Sequence, residues 1–208
     1  QKLEPNLEVK ARGAVYFPGD SHLDPGVLYS YVKKYLVAKG VKFHPNTQVL
    51  GFEKTQHAVQ AVLTDKGKIE AGKIVLCGGA WTAELAKKLN FSLPLMGGKG
   101  YSFIQDNSPA IQIPTILTER KVAVSPYGDF VRFGGTLEIA GTNQKVNINR
   151  VKGIFESINQ YYPTFQAKFP KEEQVWKGLR PCSPDGLPYI GMAPGYENVL
   201  VGAGHAML

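Results

Sequence analysis

Arg180 is the side chain in this sequence that is best placed to bind a carboxylate. It lies in a segment, from Gly178 to Gly204, that contains four prolines and six glycines. Because proline fixes φ and glycine opens positive φ, the segment predicts a rigid, irregular backbone with a tight turn at Ser183-Pro-Asp-Gly186. A guanidinium can bind a carboxylate through two parallel hydrogen bonds. The alternative is a surface ion pair for Arg180 in a loop that joins two strands.

Two glycine turns could bring bare backbone against a ligand. Gly202-Ala-Gly204 follows an apolar run at residues 198–202 that predicts a buried strand. Gly78-Gly79 follows a continuous apolar run at residues 73–77, which is typical of a parallel strand covered on both faces, and a predicted helix comes next. Free N–H groups at such a helix start can bind an anion. Neither turn matches GxGxxG, so a simple packing turn is the alternative.

The composition of the 208 residues excludes several functions. The net charge is +7, but the lysines are dispersed without a basic stripe of interleaved aromatic residues, so we expect no nucleic-acid binding. No run of 18 apolar residues is present, and the first residues lack a signal-peptide pattern. Cys77 and Cys182 have no metal-ligand spacing, so we expect no metal site and a reducing, cytoplasmic compartment. The positive charge leaves open a peripheral association with an anionic membrane.

The elements that would position these residues fall into two groups. The first group is α/β, with predicted strands at 13–17, 41–43 and 73–77, a meander over 47–70, and a helix between the N-cap Asp24 and Gly40. The apolar stripe of that helix is expected to face a core: Leu28, Tyr31, Val32, Tyr35 and Leu36. The second group consists of short strands over 99–138, which predict an antiparallel sheet, and an amphipathic helix over 149–162 that covers one of its faces.

These groups predict a mixed α/β and α+β fold with two lobes. Residues 1–92 and 177–208 would form a partial Rossmann-like lobe, and residues 93–176 an inserted antiparallel-sheet lobe that binds substrate. A ligand would lie in the cleft between the lobes. The sequence begins at Gln1 without Met and ends just after a glycine turn, so we expect it to be a piece of a longer protein.

A set of short motifs covers nearly the whole sequence. In order, they are His22-Leu-Asp-Pro25, Val75-Leu-Cys-Gly-Gly-Ala-Trp81, Pro94-Leu95 with Lys99-Gly-Tyr101, Phe133-Gly-Gly-Thr-Leu-Glu138, Trp176-Lys-Gly-Leu-Arg-Pro181, Pro184-Asp-Gly-Leu-Pro-Tyr-Ile-Gly191 and Gly202-Ala-Gly-His205. In this order they resemble the FAD-dependent D-amino-acid oxidase superfamily, and most of all its D-amino-acid dehydrogenases of the small-subunit type.

The resemblance implies that the Rossmann-like lobe binds FAD. The implied cofactor contacts are Val49 at the adenine, Gly78, Ala80 and Trp81 in the turn beside the flavin, and Gly202, Gly204 and His205 in the segment that approaches the flavin ring. The GxGxxG unit of the family lies N-terminal to anything in this sequence. Without that unit we expect the 208-residue chain by itself to lack FAD.

The resemblance also assigns substrate contacts. Arg180 matches the arginine that holds the substrate carboxylate in several members. Some members carry a tyrosine three residues before the proline that matches Pro126, and here that position is Ala123. Tyr101 and Tyr127 are the predicted replacements for this second carboxylate contact.

The implied activity is oxidation of the CH–NH bond of a D-amino acid to a 2-oxo acid and ammonia, in amino-acid catabolism. No catalytic side chain is predicted, because the flavin accepts the hydride and the amine can bind neutral. The electron acceptor is quinone or oxygen, and a homodimer is left open. The alternatives are a glycine- or sarcosine-type amine oxidase, an FAD-dependent 2-hydroxy-acid dehydrogenase and a non-catalytic homologue.

Overall fold

The computed structural model describes residues 3–206. Its helices are α1 (Pro25–Ala38), α2 (Thr82–Lys88) and α3 (Ile148–Tyr161), and three-residue 3-10 turns lie at Gly79–Trp81 and Glu172–Gln174. Its strands are β1 (Val49–Lys54), β2 (Val59–Thr64), β3 (Gly67–Glu70), β4 (Ile74–Leu76), β5 (Met96–Asp106), β6 (Thr115–Leu117), β7 (Val122–Tyr127), β8 (Phe130–Ile139), β9 (Trp176–Cys182), β10 (Tyr189–Met192) and β11 (Val199–Ala203).

The chain divides into two compact units. The first unit takes the described residues of Gln1–Val41, Gly100–Leu137 and Gln144–Gly178, and the second takes those of Lys42–Lys99, Glu138–Asn143 and Leu179–Leu208. The chain passes from one unit to the other inside β5, β8 and β9. This division groups the residues up to Val41 with the antiparallel strands, whereas the sequence prediction placed them in the Rossmann-like lobe.

The second unit contains a mixed sheet and a meander. The mixed sheet has the order β10-β11-β4, in which β11 pairs parallel with β4 and antiparallel with β10. The meander is the antiparallel sheet β1-β2-β3, as its turn residues predicted. Helix α2 follows β4; Ala86 within the helix and Leu89 directly after it are buried.

One face of the mixed sheet is open. Val199, Val201, Ile74 and Leu76 are buried on its inner face, and alternate residues point to the other side. Val75 in β4 is 58% exposed and Ile190 in β10 is 74% exposed. The prediction that the 73–77 strand is covered on both faces is therefore wrong, because an apolar run does not reveal whether its second face has a covering element.

Asn198 joins the meander to the mixed sheet. Its Oδ1 accepts a hydrogen bond from Val59 N–H (2.9 Å), and its Nδ2 donates to Val59 O (2.7 Å) and Gly72 O (3.0 Å). An amide group that makes three hydrogen bonds holds one geometry, so this half-buried side chain fixes the start of β11 against β2.

The first unit is built on a five-stranded sheet of order β6-β7-β8-β5-β9. Helix α3 covers one face of it, as predicted, through Val151, Ile154 and Ile158. The facing sheet residues include Phe103 and Phe133, whose rings lie 6.0 Å apart in the same core.

Helix α1 forms as predicted but does not bury its apolar stripe. Asp24 is the N-cap, and its Oδ1 accepts from Gly26 N–H (2.7 Å) and Val27 N–H (3.3 Å). None of its residues is buried in the part of the chain that the structure describes. The predicted strands at 13–17 and 41–43 are also wrong, because neither segment has a paired strand and Val15 is 79% exposed.

Candidate cofactor and substrate residues

Two of the predicted cofactor glycines lie at one edge of the second unit. In the parallel pair, Leu76 of β4 is opposite Val201 of β11, so Gly78 and Gly202 follow at the carboxyl ends of neighbouring strands. The strands approach closely there, since a Cβ added at Gly202 would lie 3.2 Å from Cys77 Sγ. The carboxyl edge of parallel strands is where α/β sheets bind their ligands.

The turn after β4 presents backbone and one aromatic ring. Gly79 has φ +56°, and the 3-10 turn Gly79–Trp81 begins there. The first N–H groups of such a turn have no acceptor within it. Thr82 Oγ1 donates to Gly79 O (2.8 Å) and holds the turn, while Ala80 is buried and Trp81 is half exposed.

The segment after β11 pairs with the strand that carries Arg180. His205 forms an antiparallel bridge with Cys182, and Ala206 N–H donates to Pro181 O (3.0 Å). Gly204, directly before His205, has φ +86°, and a Cβ added there would lie 3.3 Å from the side chains of Leu95 and Tyr189. Gly204 and His205 thus lie beside the end of β9.

Arg180 is a half-buried residue of β9. The prediction of an irregular backbone is wrong for Gly178 to Cys182, because β9 extends through it and pairs with β5. The predicted turn follows directly: Gly186 N–H donates to Ser183 O (3.4 Å), and Gly186 has φ +79°. Val49, the remaining predicted cofactor contact, begins β1 in the meander and is half-buried.

The two predicted substrate tyrosines lie in the first unit. Tyr101 is only 1% exposed, in the core under α3, where its hydroxyl accepts from Asn147 N–H (3.1 Å). Tyr127 is the last residue of β7. Its ring centroid lies 5.5 Å from those of His22 and Phe130, with the rings tilted, and its hydroxyl donates to Leu23 O (3.3 Å). Tyr101 is thus buried in this core, and its role as a substrate contact, like that of Tyr127, stays a prediction.

Sequence reasoning missed Arg132. This residue of β8 donates from Nε to Ser102 Oγ on β5 (3.0 Å), and its guanidinium lies 5.0 Å from the centroid of the Trp176 ring on β9. The available signal was the alternation in Phe130-Val-Arg-Phe133: because Val131 and Phe133 are core residues, Arg132 points to the opposite face.

A surface depression of about 610 Å³ lies elsewhere in the second unit. It is lined by residues of β2, β3 and the following turn, together with Asn198, and none of the predicted site residues lines it. Within residues 3–206 no cluster of His, Cys, Asp and Glu suited to a metal ion is found. No helix in that same range is long and apolar enough to span a membrane.

The family profile described as FAD dependent oxidoreductase matches residues 1–208. The chain belongs to this family. Among curated proteins, it is 33% identical over 214 residues to the D-amino acid dehydrogenase of Vibrio vulnificus (strain CMCP6), covering 100% of the chain and 50% of the relative. It is 29% identical over 194 residues to the D-amino acid dehydrogenase of Helicobacter pylori, covering 92% and 46%. The resemblance read from the motifs is confirmed.

Solved structures share the fold. Glycine oxidase from Geobacillus kaustophilus superimposes with a TM-score of 0.85 at 24% identity, over 99% of this chain and 55% of that one. L-proline dehydrogenase from P. horikoshii gives 0.77 at 19% identity, over 88% and 50%. These likenesses show the fold and confirm the predicted mixed class with antiparallel sheets. The chain spans about half the length of the curated relatives it matches.

The residues at the glycine edge fit the flavin side of FAD. A Cβ added at Gly79 would meet nothing within 4 Å, which leaves room for a flat ring to approach, whereas Gly78 and Gly202 let Leu85 and Cys77 pack closely at this edge; Trp81 and His205 lie in the same segments. The pyrophosphate of FAD is normally bound by a glycine-rich turn and a helix N-terminus in a first βαβ unit. No GxGxxG occurs in the 208 residues.

Proposed function

We propose that the full-length protein is an FAD-dependent dehydrogenase that oxidises the CH–NH bond of D-amino acids to a 2-oxo acid and ammonia. The observation that carries the proposal is the pairing of Cys182 with His205, which holds the end of the Arg180 strand beside the Gly204 turn. The relatives named D-amino acid dehydrogenase, matched over the whole chain, support the substrate class.

In this proposal, Arg180 binds the α-carboxylate of the substrate through its two-pronged guanidinium. Gly78, Ala80, Trp81, Gly202, Gly204 and His205 contact the flavin side of the cofactor, and Val49 contacts its adenine side. FAD, when bound, supplies the hydride acceptor. The residues of this chain orient the substrate and exclude water, and the amine enters neutral, so no side chain has to remove its proton.

We infer a cytoplasmic protein of amino-acid catabolism that passes electrons to quinone or oxygen. The net charge of +7 supports contact with an anionic membrane surface, where quinone would be available. A homodimer would cover apolar residues of the open sheet face such as Val75 and Ile190.

The test is anaerobic reduction of the flavin in purified full-length protein. D-Alanine and other D-amino acids should bleach its visible absorbance, and L-alanine should leave it unchanged as the matched control. Bleaching by glycine or sarcosine alone would establish the amine-oxidase alternative, and bleaching by 2-hydroxyglutarate alone the hydroxy-acid alternative. A full-length protein without flavin would leave only a non-catalytic homologue.

A further inference from the structure

Helix α1 exposes an apolar face to solvent. Because successive residues of an α-helix are about 100° apart, five apolar side chains fall within an arc of about 140° around its axis: Val27, Leu28, Tyr31, Val32 and Tyr35. Tyr31 is the most exposed of them at 70%, and Val32 the least at 46%. Ser30 and Lys33 lie on the opposite side of the helix. The face that helical spacing predicts to be buried is therefore uncovered in this chain.

The segment before the helix is exposed in the same way. Val15 is 79% exposed, Tyr16 53% and Phe17 63%. Single exposed apolar side chains are ordinary on soluble proteins, whereas larger exposed apolar surfaces commonly mark interaction sites. The run of exposed apolar residues through this segment and α1 therefore favours an interaction surface.

The first unit holds α1 at its N-terminal end. His22 Nε2 donates to Pro126 O (2.8 Å), and Tyr127 donates from its hydroxyl to Leu23 O (3.3 Å). The ring centroids of His22 and Tyr127 also lie 5.5 Å apart. These contacts join the residues before the Asp24 cap to the end of β7. Because they precede the helix, they fix where it starts and leave its apolar face uncovered.

Helix α1 would gain stability from burial of this face. It has 14 residues, a length at which an isolated helix is only marginally stable in water, because most helical stability in proteins comes from packing. Its first turn contains no acidic residue and its last turn no basic one, so side chains within the helix do not offset its dipole. The Asp24 cap supports only the N-terminal turn. We therefore expect a partner for the face in the full-length protein.

The length of the relatives indicates what the partner is. The D-amino acid dehydrogenase of Vibrio vulnificus matches this chain over its whole length, α1 included, and the match covers 50% of that relative. A full-length protein of that size carries about as many residues outside the chain as within it. A covalently attached segment meets the face at an effective concentration on the order of millimolar, which a second copy of the protein seldom reaches.

A membrane surface fits the face less well. Interfacial membrane helices are rich in basic residues on the polar side and carry Trp, Phe or Leu on the apolar side. Helix α1 has two lysines and neither Trp nor Phe. Tyr31 and Tyr35 each carry a hydroxyl, and buried tyrosine hydroxyls usually have a hydrogen-bond partner, which a protein surface supplies at a fixed position. These features favour a protein surface as the partner.

We propose that the exposed face of α1 is the docking surface for the part of the full-length protein that lies outside these 208 residues. That part presents an apolar surface to Leu28, Val32 and their neighbours, and hydrogen-bonding groups to the hydroxyls of Tyr31 and Tyr35. Because α1 contains none of the proposed cofactor or substrate residues, the inference does not depend on the proposed function.

The test compares thiol labelling at two positions of α1 in the full-length protein. Val32→Cys places a thiol on the apolar face, and Ser30→Cys, the matched control, places one on the opposite side of the same helix. Reaction with a maleimide under native conditions should be at least about tenfold slower at position 32, because the thiol there reacts only when the docked part opens. Mass spectrometry of the helix peptide separates both sites from the thiols of Cys77 and Cys182. In denaturant the two variants should react at equal rates.

A photochemical cross-link identifies the partner. With p-benzoylphenylalanine in place of Tyr35, a photoreactive ring lies on the apolar face, and irradiation should join it to a peptide of the same molecule from outside residues 1–208. The same group in place of Ser30 should not give this product. A cross-link between two molecules would contradict the proposal.

Three labelling results would overturn the inference. Equal rates at positions 30 and 32 in native protein would show that the face is open. Protection that appears only as the protein is concentrated would assign the face to a second copy, and protection that appears only with phosphatidylglycerol vesicles would assign it to a membrane. Labelling and cross-linking need no turnover, so a protein that oxidises no D-amino acid would refute the proposed function and leave this test intact.

Discussion

Arg180 and Arg132 are both half-buried strand residues, and they differ in what holds them. Arg132 has a serine and a tryptophan that fix its guanidinium within the first unit. Arg180 is followed by Pro181 and by the Cys182–His205 bridge, and these constrain its backbone. At residue scale, contacts from Ser102 and Trp176 orient the Arg132 guanidinium, and strand pairing fixes the backbone at the end of the Arg180 strand.

Arg180→Lys tests the α-carboxylate contact. The substitution keeps the positive charge and loses the bidentate fork, so kcat/KM for D-alanine should fall by about tenfold to a hundredfold in full-length protein. Flavin content should stay at the wild-type level, because the proposed cofactor contacts are made by other residues. Steady-state kinetics and the ratio of visible to ultraviolet absorbance measure the two effects.

Arg120→Lys serves as the control, because Arg120 contacts Gln160 at the surface of the first unit. If Arg180→Lys left kcat/KM unchanged, the α-carboxylate would have to bind elsewhere.

The sequence predicted local turns better than it predicted the surroundings of single side chains. The turn at Ser183-Pro-Asp-Gly186 follows from local chemistry and is confirmed. Strand alternation places Tyr101 on the same face as Phe103, in the core with α3, and its role as a substrate contact stays a prediction. The face on which Arg132 lies follows from strand alternation, but its contacts with Ser102 and Trp176 join strands that are far apart in the chain, and no local pattern reveals them.

At the scale of elements, the stability of helix α1 depends on the hydrogen bonds at its ends. It has no buried residue among those described, so its stability comes from local hydrogen bonds and from the Asp24 cap. Asp24→Ala should therefore destabilise α1 by about 1 kcal/mol. Hydrogen exchange should become faster at amides of the helix and stay constant in α3. Asp20→Ala, upstream of the helix, is the control, and equal protection of α1 in Asp24→Ala would show that the cap is dispensable.

In α1 and α3, the periodicity of apolar residues predicts a helix but not whether its apolar face is buried. Both segments have apolar residues at helical spacing, and both form helices close to the predicted bounds. Val151, Ile154 and Ile158 of α3 are buried, whereas Tyr31 and Tyr35 of α1 are exposed. The pattern identifies the face that could be buried but not the partner that would bury it.

At the scale of the whole molecule, the fold class and the family were predictable because the motifs extend along the entire chain in order. The division into units was harder, since β5, β8 and β9 each contribute to both. Turn residues predict where a strand begins and ends, but not that residues of one strand belong to two compact units.

The 208-residue chain, produced by itself, should not bind FAD at micromolar concentration. It lacks a GxGxxG turn, and the glycine edge offers the pyrophosphate few backbone donors. Titration of FAD with the chain, followed by flavin fluorescence, should show no saturable quenching, while the full-length protein retains FAD through gel filtration. Saturable micromolar binding by the chain would mean that the residues around Gly78 and Gly202 suffice for the whole cofactor.

Asn198 exposes the second unit to chemical ageing. Water slowly hydrolyses asparagine side chains with release of ammonia, and the product at this position would be aspartate. An oxygen would then replace the Nδ2 donor and face the carbonyl groups of Val59 and Gly72, with three acceptors together and no proton among them. The meander and the mixed sheet are joined at this amide, so a change of one atom in an old molecule would loosen that joint while leaving each sheet's own ladder intact.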